Sequence, residues 1–248
     1  TAILVRKPGL VLARDGLQAI SIDQVEEVAL PIQQGGMVNI FDKNASGYVS
    51  KVSAQATWQA MDFGAKKMLP QYLVSRQVCL DRADRYKAGL KLAFRDIARN
   101  TDTRSAIGSL VSDFPCGNTL GVFSGHTHSV VAVGYAFSTI AFDWLVRKRL
   151  GGTHLNLFVA EECTVSYEFR RGLPDYVPTL LGLTFPDEMS APAWLEFEGL
   201  LPRHQSWRRL WAITAHERAR RKAILEAIAF QYFGLGVEDA AQILLNTD

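Results

Sequence analysis

Short apolar runs divided by turn residues fill the first part of the chain. ILV at 3–5, LVL at 10–12, ISI at 20–22, VALPI at 28–32 and MVNIF at 37–41 are set off by Pro8-Gly9, Asp15-Gly16 and Gly35-Gly36. That spacing predicts short strands, followed by a polar loop, DKNASG, at 42–47. Between 72 and 114 the pattern has two readings. Leu90, Leu92 and Phe94 alternate as in a strand, yet Tyr86, Leu90, Phe94 and Ala98 also fall four apart. The Asn100-Thr101-Asp102 turn signal ahead of a second apolar run, Ile107 to Val111, favours strand, turn, strand.

Residues 128 to 150 read as the longest helix. Val131, Tyr135, Phe142 and Leu145 lie along one side, Arg147, Lys148 and Arg149 load the last turn, and Gly151-Gly152 end it. A strand, LNLFVA at 155–160, is expected next. Beyond 173, prolines at 174, 178, 186, 192 and 202 predict loops and short helices. Thr214-Ala-His-Glu217 is a capping box that opens a helix to about Tyr232, closed at Gly234. A short helix from Val237 to Leu245 follows. The order is strand-rich, then mixed, then helical, which defines an α+β fold. We expect residues 1–172 to form one α+β domain, with the helical segment 173–248 packed on it.

Composition narrows the classes of function. The chain has 248 residues, 48% apolar and 21% charged, with a formal net charge of only +2. It can bury a substantial core, and any nucleic-acid contact must come from a local patch rather than a global field. Cys79, Cys116 and Cys163 are widely spaced and odd in number, so reduced thiols are expected rather than a disulfide framework. No leader pattern and no run of 18 apolar residues is present, which predicts a soluble, cytoplasmic protein without a membrane partner. The first residue is Thr1, as expected of a piece of a longer protein.

Familiar catalytic patterns are missing from the sequence. It has no Pro-Pro dipeptide, no Asp or Glu two places before a Lys, no GxxxxGK[ST] loop and no GxSxG elbow. Gly234-Leu-Gly236 follows a helix, where a C-cap explains it better than a nucleotide loop does. His126-Thr-His128 lacks a second pair of ligands, so no metal site is expected. Glu161-Glu162 reads as a solvated end of the expected strand rather than as a general acid and base. No catalytic residue and no cofactor is assigned to this chain.

What stands out instead is loops dense in side chains that bind phosphate and base edges. One cluster is Arg95, Arg99, Asn100, Thr103 and Arg104. A second is Arg147, Lys148 and Arg149 with Thr153, His154 and Asn156. A third is Lys43, Asn44, Ser46 and Lys51. For each, the plainer reading is a solvated turn or helix end, and Arg147 to Arg149 also complement a helix dipole. Arg95 and Asp96 are expected to orient one another at a strand end. The basic run Arg208, Arg209, Arg218, Arg220, Arg221 and Lys222 reads as a wet helix face.

Taken in order, several segments resemble the region that follows the catalytic domain in large adenine-specific DNA methyltransferases. These include type IIG restriction-modification enzymes and phage-defence enzymes of the BREX kind. The segments are LPIQQGGMVNIFDKNASGYVS (30–50), YLVSR (72–76), LAFRDIARNTDTRS (92–105), FSTIAFDWLVRKRLGGTHLNLF (137–158), VPTLLGLTF (177–185) and ILEAIAFQYFGLGVEDAAQIL (224–244). FRDIARNTDTR and FDWLVRKRLGGTHLN are the most specific, and Leu30, Pro31, Gly36, Met37, Phe41 and Asp42 match in the first. Gln33-Gln34 departs from the family's Leu-Tyr-Glu. The resemblance implies a target-recognition module that lies on double-stranded DNA. It also implies a methyltransferase catalytic domain, in cis or in trans, that carries the S-adenosyl-L-methionine. A protein-docking subunit of a multi-subunit defence complex is the competing expectation.

Overall fold

The computed structural model describes residues 10–12, 19–21, 23, 25–52, 55–82, 86 and 88–246. The expected strand at 3–5 lies outside these, as does Ile22 of the run at 20–22. The fold is α+β. Among the described residues, the paired strands run antiparallel. β1 (Leu10–Leu12) pairs with β2 (Ala19–Ser21), β3 (Ala29–Pro31) with β6 (Leu73–Ser75), and β4 (Ser46–Val52) with β5 (Gln55–Ala60). β7 (Leu90–Arg95) is the central strand of a three-stranded sheet, between β8 (Gly108–Ser112) and β9 (Leu120–Phe123). Two ambiguities of pattern are thereby settled: 90–94 is a strand, and 107–111 contributes the next one. The Asn-Thr-Asp turn stops the chain from continuing a helical spacing. MVNIF at 37–41 is not a strand. Residues 35–37 form a 3-10 turn, and Asn39 closes a tight bridge with Asp42.

α1 (Arg76–Asp81) follows β6. The expected helix at 128–150 is two helices, α2 (Thr127–Phe137) and α3 (Ile140–Arg149), whose axes differ by 77°. The break falls at Ser138-Thr139 because both hydroxyls act locally. Ser138 Oγ donates to the Gly134 carbonyl, and Thr139 Oγ1 caps α3 by accepting from the Phe142 amide. α2 is apolar from Val130 to Phe137 because that stretch is buried apart from the half-buried Val133. It lies across β7 and β8, and at Gly134 a side chain would sit 2.5 Å from Leu110. The expected strand at 155–160 is instead the short helix α4 (Leu157–Glu161), which buries Val159 and leaves Leu157 and Phe158 exposed. α5 (Glu168–Arg171) follows.

Prolines do not break the next segment as expected. α6 (Leu173–Thr184) is a twelve-residue helix with Pro174 in its first turn, where the missing amide costs nothing, and Pro178 inside it. α7 (Ala191–Glu196) is short. α8 (Ala215–Tyr232) carries the capping box, with Thr214 and Glu217 side chains bonding reciprocally to backbone amides. Gly234 ends it at φ 71°, a left-handed conformation that suits glycine. α9 (Val237–Leu245) closes the chain.

One cluster of buried side chains contains both Leu92, Phe94 and Phe137 from the sheet side and Tyr176, Leu180 and Leu225 from the helical segment. Within it Tyr135, Phe169 and Tyr176 pack ring on ring, and the Tyr135 and Tyr176 hydroxyls donate to the carbonyls of Leu225 and Phe169. Arg218 of α8 is only 3% exposed. It donates to the carbonyls of Phe41, Leu183 and Ala212, and its guanidinium lies 4.1 Å from the Phe63 ring centroid. Phe41 sits at φ 53°, in the left-handed region, and this buried cation holds its carbonyl. No helix among the described residues is long and apolar enough to cross a membrane.

Candidate nucleic-acid interface

The first two polar clusters, about fifty residues apart in sequence, meet at the end of β7. Ile97 and His154 pair as an isolated antiparallel bridge. Around it, the Ala98 amide donates to the Thr153 carbonyl at 3.0 Å and the Leu155 amide to the Asp96 carbonyl at 2.6 Å. His154 Nδ1 lies 2.8 Å from Asp96 Oδ2. Gly151 and Gly152 connect α3 to this strip in open space.

The turn 99–106 is held from beneath by α3. Asp143, fully buried, accepts from the Ser105 and Ala106 amides at 2.7 and 2.6 Å and from Arg147 Nε at 2.8 Å. Arg147 then donates to the carbonyls of Asn100, Asp102 and Thr103. Arg104 Nη2 donates to the Ser138 and Thr139 carbonyls at the α2–α3 break, and its Nε lies 3.5 Å from Asp143 Oδ2. A buried carboxylate is tolerated only when its oxygens are satisfied, and here two amides and two guanidinia do so. Glu226 of α8 adds support from below. Its Oε2 accepts from the Ile140 amide at 2.9 Å, at the start of α3, and burial pushes its carboxyl up to about 7.

The candidate residues therefore divide by what holds them. Arg99, Asn100, Thr103, Thr153, His154 and Asn156 are exposed on the joined surface, and the Arg99 guanidinium has no protein partner among the described residues. Lys148 and Arg149 are exposed beside it, Lys148 over the Trp144 ring and Arg149 donating to the Leu145 carbonyl. Arg104 and Arg147 point into the protein and position the turn. Arg95 and Asp96 do not orient one another. Neighbouring strand residues project to opposite faces, so Arg95 Nε donates to the Val38 carbonyl at 2.9 Å while Asp96 meets His154.

The third cluster is not part of this surface. Lys43 and Asn44 are buried. The Lys43 ammonium bonds Ser190 Oγ, pairs with Asp187 at 2.9 Å and lies 5.0 Å from the Phe185 ring centroid; burial lowers its pKa. The DKNASG loop is polar because it carries an internal ionic staple, with Lys66 bonding Asp42 at 2.7 Å and the Asn44 carbonyl at 3.1 Å. Ser46 is half-buried in β4, and Lys51 is exposed on the same strand.

Asp143 is the residue that sequence reading missed. Its signal was the Asp143–Arg147 spacing of four on a helix, which places the two side chains on one face. Among the described residues, no group of three or more His, Cys, Asp or Glu is gathered as a metal site would need. Comparison with protein families, with curated proteins and with solved structures gives no match.

Proposed function

We propose that this chain is a DNA-recognition module of an adenine-specific DNA methyltransferase, of the restriction-modification or phage-defence type. It acts in the cytoplasm on double-stranded DNA. A methyltransferase catalytic domain, in cis or in trans, supplies S-adenosyl-L-methionine and the chemistry. One observation carries the reading: two polar segments far apart in sequence are bridged at Ile97–His154 into a single exposed strip over a rigidly clamped turn. A clamped loop presents Arg99, Asn100, Thr103, Thr153 and Asn156 without losing much freedom on binding, which is what recognition of base edges and phosphates rewards. The test is duplex affinity measured across a range of salt concentrations. Binding by counterion release gives log affinity falling linearly with log salt; affinity that is absent or insensitive to salt removes the reading.

A second reading, a protein-docking subunit of a defence complex, is favoured by Ile97, Leu157 and Phe158. All three are exposed apolar residues beside the same loops. It predicts capture of the catalytic subunit with little dependence on salt, and no duplex affinity in the isolated chain.

A further inference from the structure

The basic run at 203–222 does more than wet a helix. Between 201 and 222 the sequence holds seven Arg or Lys and one Glu. Arg218 and Arg221 turn inward to backbone carbonyls, whereas Arg203, Arg208, Arg209 and Arg220 remain exposed. Beside them opens a cleft of about 570 Å³, lined by Trp194, Leu201, Arg203, His204, Gln205 and Trp207 among others. That volume falls within the roughly 300–1,000 Å³ of small-ligand sites.

Its walls are built rather than incidental. Trp194 is buried and fixed by an indole bond to the Phe185 carbonyl at 3.0 Å. Trp207 packs on it with centroids 5.6 Å apart, and on Trp211 at 5.3 Å. The Arg208 guanidinium lies 5.3 Å from the Trp207 centroid and pairs with Glu188 at 3.0 Å. On the opposite side the loop is turned by His204 in the left-handed region, φ 64°, which sets His204 and Gln205 at the rim. Non-glycine residues in that region are uncommon and mark places where surrounding structure dictates the backbone.

We propose that this cleft binds an unpaired nucleotide. The base rests against Trp207, the amide of Gln205 is available to its edge, and the phosphate meets Arg203, the guanidinium that lines the cleft. An aromatic wall attracts any base through its π-face, and a cationic rim selects ligands that carry phosphate. Glu198, also at the cleft, disfavours a bare anion and suits a base with an exocyclic amine. This site is separate from the clamped turn and stands without the duplex-recognition reading.

The full chain is titrated against a short fluorescein-labelled single-stranded oligo(dA), followed by anisotropy. Saturable binding is expected, weakened about 5- to 100-fold in Trp207→Ala, as loss of one stacked base implies, and largely kept in Trp207→Phe. Arg203→Ala, a change at an exposed side chain, weakens binding most at low salt and serves if Trp207→Ala fails to fold. Competition by AMP separates the sources. Displacement near the affinity of a single site assigns a free nucleotide, and failure of AMP beside a binding oligonucleotide assigns a strand. Arg99→Ala leaves oligonucleotide binding intact, so loss of duplex affinity alone does not touch this site. Oligonucleotide affinity unchanged in both Trp207→Ala and Arg203→Ala overturns the proposal, as does inorganic phosphate competing as well as AMP.

Discussion

Asp143 and Arg147 stand one turn apart on α3 and grip the turn 99–106 from its two ends: the carboxylate takes the Ser105 and Ala106 amides, and the guanidinium takes the Asn100, Asp102 and Thr103 carbonyls. Neither group can be lost alone. Asp143→Ala leaves two buried amides unpaired and faces Arg104 and Arg147 with no counter-charge. Breaking a buried pair in this way costs about 3–5 kcal/mol. Urea denaturation should show a loss of that size. A loss below about 1 kcal/mol, with the turn amides still protected from hydrogen exchange, would mean that the clamp is not what orders the turn.

Arg99 and Arg104 lie five residues apart yet make opposite predictions. Arg99 is exposed without a protein partner among the described residues, so Arg99→Ala should change stability by less than about 0.5 kcal/mol. If it contacts a phosphate, the slope of log duplex affinity against log salt becomes shallower by about one. Arg104 is committed to the carbonyls of Ser138 and Thr139. Arg104→Ala should lower the melting temperature instead, and change affinity only through disorder of the turn. Equal behaviour of the two variants in both measurements would contradict this division.

How far the sequence could be read follows from the same residues. Local signals were legible: the Thr214–Glu217 capping box, the Gly234 stop and the Asn-Thr-Asp turn each act within a few residues, and each stands where expected. Signals that depend on distant partners were not. LNLFVA has a strand's composition, but among the described residues no strand pairs with it, and a short helix buries Val159 instead. The stretch 128–150 reads as one helix until Ser138 and Thr139 spend their hydroxyls on local backbone groups. Lys43 reads as a loop cation because nothing nearby in sequence announces Asp187 and Ser190, more than 140 residues later. Of the candidate surface, the exposed residues were legible from type and turn context. The residues that position them were visible only as a four-residue spacing on α3.

Glu226 links this surface to pH. Burial raises its carboxyl from the ordinary 4.5 to about 7, against the pull of the Ile140 amide, Arg104 and Lys222, while Asp143 adds to the rise. The folded state therefore binds this proton more tightly than the unfolded chain does. Its contribution is fully present below about pH 4.5, is lost as pH climbs through about 7, and is flat above that. The shift amounts to something on the order of 3 kcal/mol. Glu226→Gln keeps an acceptor for the Ile140 amide and removes the titration. Denaturation from pH 5 to 8 should show the wild-type curve falling relative to the variant; parallel curves would show that Glu226 is not buried as charged groups must be to titrate this late.

Lys43 is a cation that the sequence pattern assigns to DNA and the fold buries. Lys43 is sealed between Asp187, Ser190 and the Phe185 ring, and it ties the loop after Phe41 to the start of α7. Lys43→Met should cost about 3 kcal/mol by stranding the Asp187 carboxylate in a mostly buried setting. Asp187 also accepts from the Ser190 amide and hydroxyl at 3.0 and 2.9 Å, so Asp187→Asn alone is costly as well. The double variant should be less destabilised than the sum of the two singles, because each single leaves the other's charge uncompensated. At temperatures where all the variants remain folded, duplex affinity and its salt slope should match the wild type. A shallower slope in Lys43→Met would put the ammonium outside, on the nucleic acid, and undo the burial argument for the whole 41–44 loop.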